Sequence, residues 1–583
     1  MPNVDFIEAA RKLPSLQDPN ERIQRSLFKI AAWTIALLVV LIGGGIFGYG
    51  QFRHWQERRL VAEGNALVNE GNMKRASIDG RRILQINPES AAGARIMARI
   101  SEAAGSHSAV EWRRRVIELL PTSAPDAIAL ARAALRFDDK GSLDLALSKL
   151  SPEAKTTADY HALAAEIAGR AGDKAASERN LREAVQLAPE NKDYLLQLAT
   201  LQLASASTDA REQANQALTA LQREPAQRRE ATRQLVLDSF RRHKSDRAVA
   251  LGRQLDAFPE KTFSDRLLLL QALQDTADPG TTPLLQELQA AAATNVEQAA
   301  ELISWFNANQ MPAAAISWAT QLPAETRSHK ALITALADAY MAAGDWTGMQ
   351  ALVQTGNWSG IEYLRSALAA RAARELRNEP ESSAQWTQAV QKVSALPKQA
   401  LMLAEIVARW GWKNEAIELY WIASKDPAAG DAALRSLYAY FANLGATQDL
   451  YRVLLHQQEL HPEDRGVQNN VAQLALLLHL NVDRAQRIAR ENFQQEPKNP
   501  VYVSTYAFAL FSAGDTKKAL EVMRTLSPEQ LQDPAVAAYY GVMLAAAGEQ
   551  QQAAQFLDLA EKAGLLPEER ALVEKARRTS PRP

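Results

Sequence analysis

The pattern of polar and apolar positions divides the chain into two unequal parts. Residues 30–50 read IAAWTIALLVVLIGGGIFGYG, 21 positions without a charge. A helix of that length covers about 30 Å, the thickness of a bilayer's hydrocarbon core. From residue 57 onward, small and apolar residues return at helical spacing, in paired segments broken by short polar or glycine turns. The first pattern predicts one transmembrane helix. The second predicts a long run of helical hairpins.

The span carries the marks of an anchor. Trp33 lies near one end, with Tyr49 and Trp55 near the other, where interfacial aromatics belong, and Lys29 and Arg53 bracket it. The rival reading is a cleaved signal peptide, whose apolar region is usually about 7–15 residues. The 29 residues ahead of the span are also too many for its leading segment. An uncleaved signal anchor is therefore expected. Arg11, Lys12, Arg22, Arg25 and Lys29 give five positive charges in the 20 residues before the span, against three from Arg53, Arg58 and Arg59 in the 20 after it. This excess favours a cytoplasmic N-terminus with the hairpins on the far side; a 15-residue window gives three on each side. Gly43-x-Gly45-x-x-Gly48 matches a dinucleotide-binding fingerprint in form only, since it follows no strand and lies inside an apolar span. Gly44 and Gly48, four apart, either form a close-packing face for a second membrane helix or reflect the frequency of glycine in such helices.

The hairpins have a period. Pro88 and Pro121 are 33 apart, Pro121 and Pro189 are 68 apart, and Pro225 and Pro259 follow at steps of 36 and 34. Pro427, Pro462 and Pro497 are 35 apart. Residues 158–191 place Ala165 and Ala168 on a first helix, Gly172 in the turn, and Ala184 on a second helix before Pro189. From Tyr506 the marks are Ala507, Leu510, Gly514, Ala519 and Leu526; from Tyr540 they are Gly541, Leu544, Gly548, Ala553 and Ala560. Small residues at these places let antiparallel helices approach closely.

This pattern resembles the tetratricopeptide repeat family, clearly over residues 57–121, 158–259 and 400–562 and by rhythm alone between 260 and 400. The resemblance implies an all-α fold, a right-handed α-α solenoid of hairpins preceded by the transmembrane helix. The expected organisation is a cytoplasmic tail over 1–29, a signal anchor over 30–50 and an N-terminal array over 51–259. Degenerate hairpins over 260–400, a C-terminal array over 401–566, and a capping helix with its tail over 567–583 complete it.

Composition narrows the chemistry. The chain of 583 residues is too long for one core, since cores stop growing at about 250–300 residues. It is 47% hydrophobic and 23% charged, proportions of a folded protein. A net charge of −1 gives no reason to expect a nucleic-acid partner, and the absence of cysteine excludes disulfides, thiolate metal sites and cysteine nucleophiles. It also excludes the rubredoxin-like metal module that ends some anchored repeat proteins. No phosphate-binding loop, H-E-x-x-H or G-x-S-x-G occurs, and the eight histidines include no i, i+4 pair. Neither catalysis, a cofactor nor a resident metal is expected.

Two clusters invite a binding role. Arg223, Arg228, Arg229, Arg233, Arg241, Arg242, Lys244, Arg247 and Arg253 face only Glu224, Glu230, Asp238 and Asp246. They form either a patch for an acidic peptide, anionic lipid or glycan, with Arg228, Arg229, Arg233, Arg241 and Arg242 at its centre, or an ordinary solvated face neutralised elsewhere. Eight of eleven tryptophans fall between 305 and 421. They serve either as anchors for a peptide or glycan or as filling between irregular hairpins. Trp410 and Trp412, flanking Gly411 at a turn, are expected to be the most exposed. Tetratricopeptide modules that clamp a carboxyl terminus carry Lys and Asn on their first helix; Asn65 matches the second, but Val61 stands in place of the Lys.

The resemblance implies a scaffold whose groove holds an extended peptide or partner helix. The anchor-plus-repeat layout is that of single-pass proteins of a bacterial inner membrane, with the solenoid periplasmic. Assembly of an envelope complex is the expected role; an accessory part in glycan export or biosynthesis is the alternative, and an enzyme with an unrecognised site is a third.

Overall fold

Many hairpin corners are built by two adjacent residues. At Gly172-Asp173, Gly344-Asp345 and Gly514-Asp515 the glycine has φ of 80°, 66° and 89°, a left-handed conformation that ends the first helix. The next N–H closes the helix from below: Asp173 donates to the Ala168 carbonyl at 2.9 Å and Asp515 to Leu510 at 3.0 Å. The aspartate side chain then caps the second helix, accepting from Ala176, Gly348 and Lys518 at 2.8, 2.8 and 3.1 Å. Elsewhere Asp138, His243, Ala277, Gln310, Arg377 and His479 hold the same corner at φ of 50–59°. For a residue with a Cβ that conformation costs about 1–2 kcal/mol, and the packed hairpins on either side hold it in place.

A computed structural model describes residues 33–34 and 51–579. The expected anchor at 30–50, with Gly44 and Gly48, lies outside the described residues except for Trp33 and Thr34. Among the described residues no helix is long and apolar enough to cross a membrane. All regular structure among them is helical. The chain forms two compact units, Met1–Leu285 and Gln286–Pro583.

Each unit is a solenoid-like stack of tetratricopeptide-like hairpins. In the first, a helix at 51–69 precedes Met73–Ile86, and later first helices begin at Ala91, Ala124, Ala158, Lys192, Arg228 and Phe263, in steps of 33–36 residues. In the second they begin at Val296, Lys330, Glu362, Pro397, Pro427, Arg465, Pro500 and Pro534, in steps of 30–38. The stretch that carried only rhythm in the sequence therefore folds as hairpins too. Val296–Ala308 pairs with Pro312–Ala319, and Lys330–Ala343 with Trp346–Thr355. Pro88, Pro121, Pro189, Pro259, Pro462 and Pro497 sit in turns just past second helices. Pro427 differs and opens Pro427–Leu444, where its missing N–H costs nothing.

Small residues let the helices meet. Ala162 and Ala184 are buried in the first unit, Ala519, Ala553 and Ala560 in the second. One close approach is at Gly541, where a Cβ would stand 2.9 Å from the Leu557 side chain and 3.1 Å from its backbone nitrogen. The backbone offers no room to yield, so Gly541→Val should overpack this crossing and destabilise the second unit by about 1–3 kcal/mol. The check is a lowered midpoint in urea unfolding followed by circular dichroism; an unchanged midpoint would mean the two helices separate freely.

Candidate functional site

The arginines at the centre of the basic stretch are engaged within the protein. Arg228 grips Glu260 through two hydrogen bonds of 2.6 and 2.9 Å, and this holds the Glu260 carboxyl down at about 2. Arg229 donates to Asp265 at 2.7 Å and Arg233 to its other oxygen at 3.3 Å. Arg242 donates to Asp238 at 3.0 Å and to the Leu203 carbonyl at 3.1 Å, while Arg241 stands 3.8 Å from Asp238. Asp265 and Asp238 are buried. The patch of five is therefore largely neutralised, by acids that lie outside the stretch in the case of Glu260 and Asp265.

The pairs made by Arg228, Arg229 and Arg233 belong to a wider system of ties one repeat apart. Arg95 reaches Asp126 at 2.8 Å, Arg132 reaches Glu166 at 3.1 Å, and Gln227 reaches Asp193 at 2.9 Å. Burial pushes the Asp265 carboxyl up, but Arg229 and the Thr262 backbone and hydroxyl outweigh it and leave it below its usual value. A carboxylate with a depressed folded pKa adds stability above its unfolded pKa of about 4, and that contribution is lost as pH falls through the folded value. Asp265→Asn should lower stability at pH 7 by about 2–3 kcal/mol. The gap from the parent protein should narrow below pH 4; urea midpoints across pH 7 to 3 measure both.

Four cations lie differently. Arg211, Arg223, Lys244 and Arg247 have no carboxylate within ion-pair distance among the described residues. Arg211 donates to the Ser205 and Ala206 carbonyls at 2.9 and 2.6 Å, and Arg247 to the Asn215 side chain at 2.8 Å. They line a cleft of about 670 Å³ beside helices Thr208–Leu221 and Ser245–Ala257, with Arg242 as a fifth cation and Glu212 and Asp238 as the acids. Arg211 precedes the basic stretch and was not among the expected residues. The signal for it is the spacing Arg211, Asn215, Thr219, Arg223, one stripe of a helix.

The exposure expected of the tryptophan pair is corrected. Trp412 is 7% exposed and Trp410 half-buried. Gly411, at φ of 80°, turns the chain so that both rings fold back on the preceding hairpin. The Arg374 guanidinium lies 3.6 Å from the Trp412 ring centre, and Arg371 stands 5.5–5.7 Å from Trp346, Trp410 and Trp412. Arg371 also donates to the Trp410 carbonyl at 3.1 Å, and Arg374 pairs with Glu415 at 2.8 Å. Trp305, Trp318, Trp358 and Trp386 are buried as well. Trp412→Ala should cost about 3–5 kcal/mol, read as a loss of cooperative unfolding in the second unit.

The helix Pro567–Thr579 shows what a face of first helices accepts. Val573 and Ala576 are buried with the core of the second unit. Tyr539 donates to Glu569, and Gln473 reaches both Tyr539 at 2.8 Å and Glu569 at 3.3 Å. Thr447, 121 residues earlier in the chain, donates to Glu568. Burial first, then the Glu569 carboxylate, pushes the Tyr539 hydroxyl well above its ordinary pKa. Gln473 and Tyr539 are two hairpins apart, so this face curves inward, and the helix lies across it.

No family model matches the chain, and no curated protein matches it. Among solved structures it is similar to the crystal structure of the APC/C hetero-tetramer Cut9-Hcn1 at 13% identity, over 78% of this chain and 96% of that one, with a TM-score of 0.29. The fold rests on the hairpins themselves.

Proposed function

We propose that this protein is an interaction scaffold, held to a membrane by residues 30–50, whose stacked hairpins gather protein partners. The observation that carries the reading is the seat of Pro567–Thr579. The second unit holds that helix through buried apolar side chains, through Gln473 and Tyr539 of two first helices, and through Thr447 at the start of a second helix, on its two glutamates. A partner helix of similar character finds the same chemistry on a curved first-helix face. The 21 uncharged residues supply the anchor, the charge excess before them favours a cytoplasmic N-terminus, and the hairpins then lie outside the cytoplasm of a bacterial cell. Assembly of an envelope complex is the role such placement fits.

The intact protein should sediment with membranes and move to the soluble fraction when residues 30–50 are deleted. A phosphatase fused at the C-terminus should be active, as it is only outside the cytoplasm; an inactive fusion reverses the orientation. In-cell crosslinking and purification should return the same protein partners in reproducible stoichiometry. Recovery of the chain alone under every crosslinker would remove the scaffold reading.

A further inference from the structure

We propose that the cleft beside Thr208–Leu221 and Ser245–Ala257 is a binding site for an acidic polypeptide segment. The proposal rests on the scaffold reading above and names the chemistry of one partner. Its first support is the absence of internal compensation. Arg228, Arg229 and Arg233, in the same stretch, each hold a carboxylate of the next repeat. In the cleft, Arg211, Arg223, Lys244 and Arg247 are left with backbone carbonyls, the Thr208 hydroxyl, the Asn215 amide or solvent. Five cations face two carboxylates there, and one of these, Asp238, is already bound to Arg242. Electrostatic complementarity is what remains for a ligand to supply.

The second support is shape. Arg211 lies in the first turn of Thr208–Leu221 and Arg223 in the turn just past its end, twelve residues apart, a span of about 18 Å at the helical rise. Lys244 and Arg247, at the start of the neighbouring second helix, face the stripe between them, and Arg247 is fixed there by Asn215. Charges strung over that distance do not converge on one phosphate. They suit a linear ligand with several separated carboxylates, about six residues of extended chain.

The third support is what interrupts the charge. Asn215 and Thr219 lie between the cations, donors and acceptors for a peptide backbone, and Glu212 stands in the same wall. A carboxylate there repels a uniformly charged polyphosphate or sulfated glycan at every register. A polypeptide avoids it by placing a neutral or basic residue opposite.

The test uses the intact protein in neutral detergent and a fluorescein-labelled peptide of six glutamates, read by anisotropy at 0.05 and 0.15 M salt. Saturable binding that weakens with salt is expected. Arg223→Ala with Lys244→Ala, two exposed side chains without intramolecular partners among the described residues, should weaken it tenfold or more without moving the unfolding midpoint. Arg223→Glu with Arg247→Glu should abolish it, and Lys155→Glu with Lys562→Glu, remote exposed lysines, should leave it unchanged. Glu212→Gln should strengthen it severalfold. Failure of the peptide to saturate, or equal binding by the cleft variants, overturns the proposal. Tighter cleft-dependent binding of inorganic polyphosphate, or of vesicles containing phosphatidylglycerol, overturns it in favour of another anion. Partners that still crosslink to the Arg223/Lys244 variant, while the peptide does not bind, would leave the scaffold reading standing and remove only this site.

Discussion

A two-helix hairpin has no core of its own. It buries one apolar face internally and must cover the rest with the next hairpin, so every unit depends on close contact between neighbours. That contact has two parts in this protein. Alanines and Gly541 bring backbones together and leave room for Leu557 and its counterparts, which supplies the burial. Apolar contact alone tolerates sliding. The polar ties from Arg95 to Asp126, Arg132 to Glu166 and Arg229 to Asp265 are directional and span one repeat, so they set the register in which burial occurs.

This division of labour decides which charges are free. A bidentate pair such as Arg228 with Glu260 already satisfies both members, and a ligand would have to replace it bond for bond. Such side chains are poor anchors for a partner. The same holds for the Trp410–Trp412 corner, where Arg371 and Arg374 use the rings as packing partners. The cleft cations remain because Asp238, the acid a neighbouring hairpin brings to the cleft, is held by Arg242. Arg211 and Arg247 lie on second helices and Arg223 and Lys244 in the turns that adjoin them, whereas the ties run mainly between first helices.

The helix Pro567–Thr579 packs differently from the hairpins. Its Val573 and Ala576 share one core with Val536, Tyr539 and Val542, and its glutamates reach well back along the unit through Thr447 and Gln473. A cap that touches several hairpins ties the end of the unit to its middle. It also shows that the curved face tolerates an acidic first turn on the helix it holds.

Much of this architecture is legible in the amino-acid sequence. The step near 34, the glycines of the corners and the helical spacing determined an all-helical stack, because those are local requirements of turning and packing two helices. The stretch over 260–400 kept that rhythm without its markers, and Gly344-Asp345 places one of its corners correctly. The basic stretch illustrates where the sequence stops. Nine cations against four acids described its own charge, but Glu260 and Asp265 lie just beyond it, one repeat after the arginines they hold. Likewise Arg211 joins Arg247 only because parallel second helices of adjacent hairpins lie side by side. Trp412 looked exposed beside a glycine turn, and its burial depends on Arg374 of the preceding hairpin. Secondary structure follows from neighbours in the chain; which charges and rings are spent, and which remain for a partner, follows from neighbours in space.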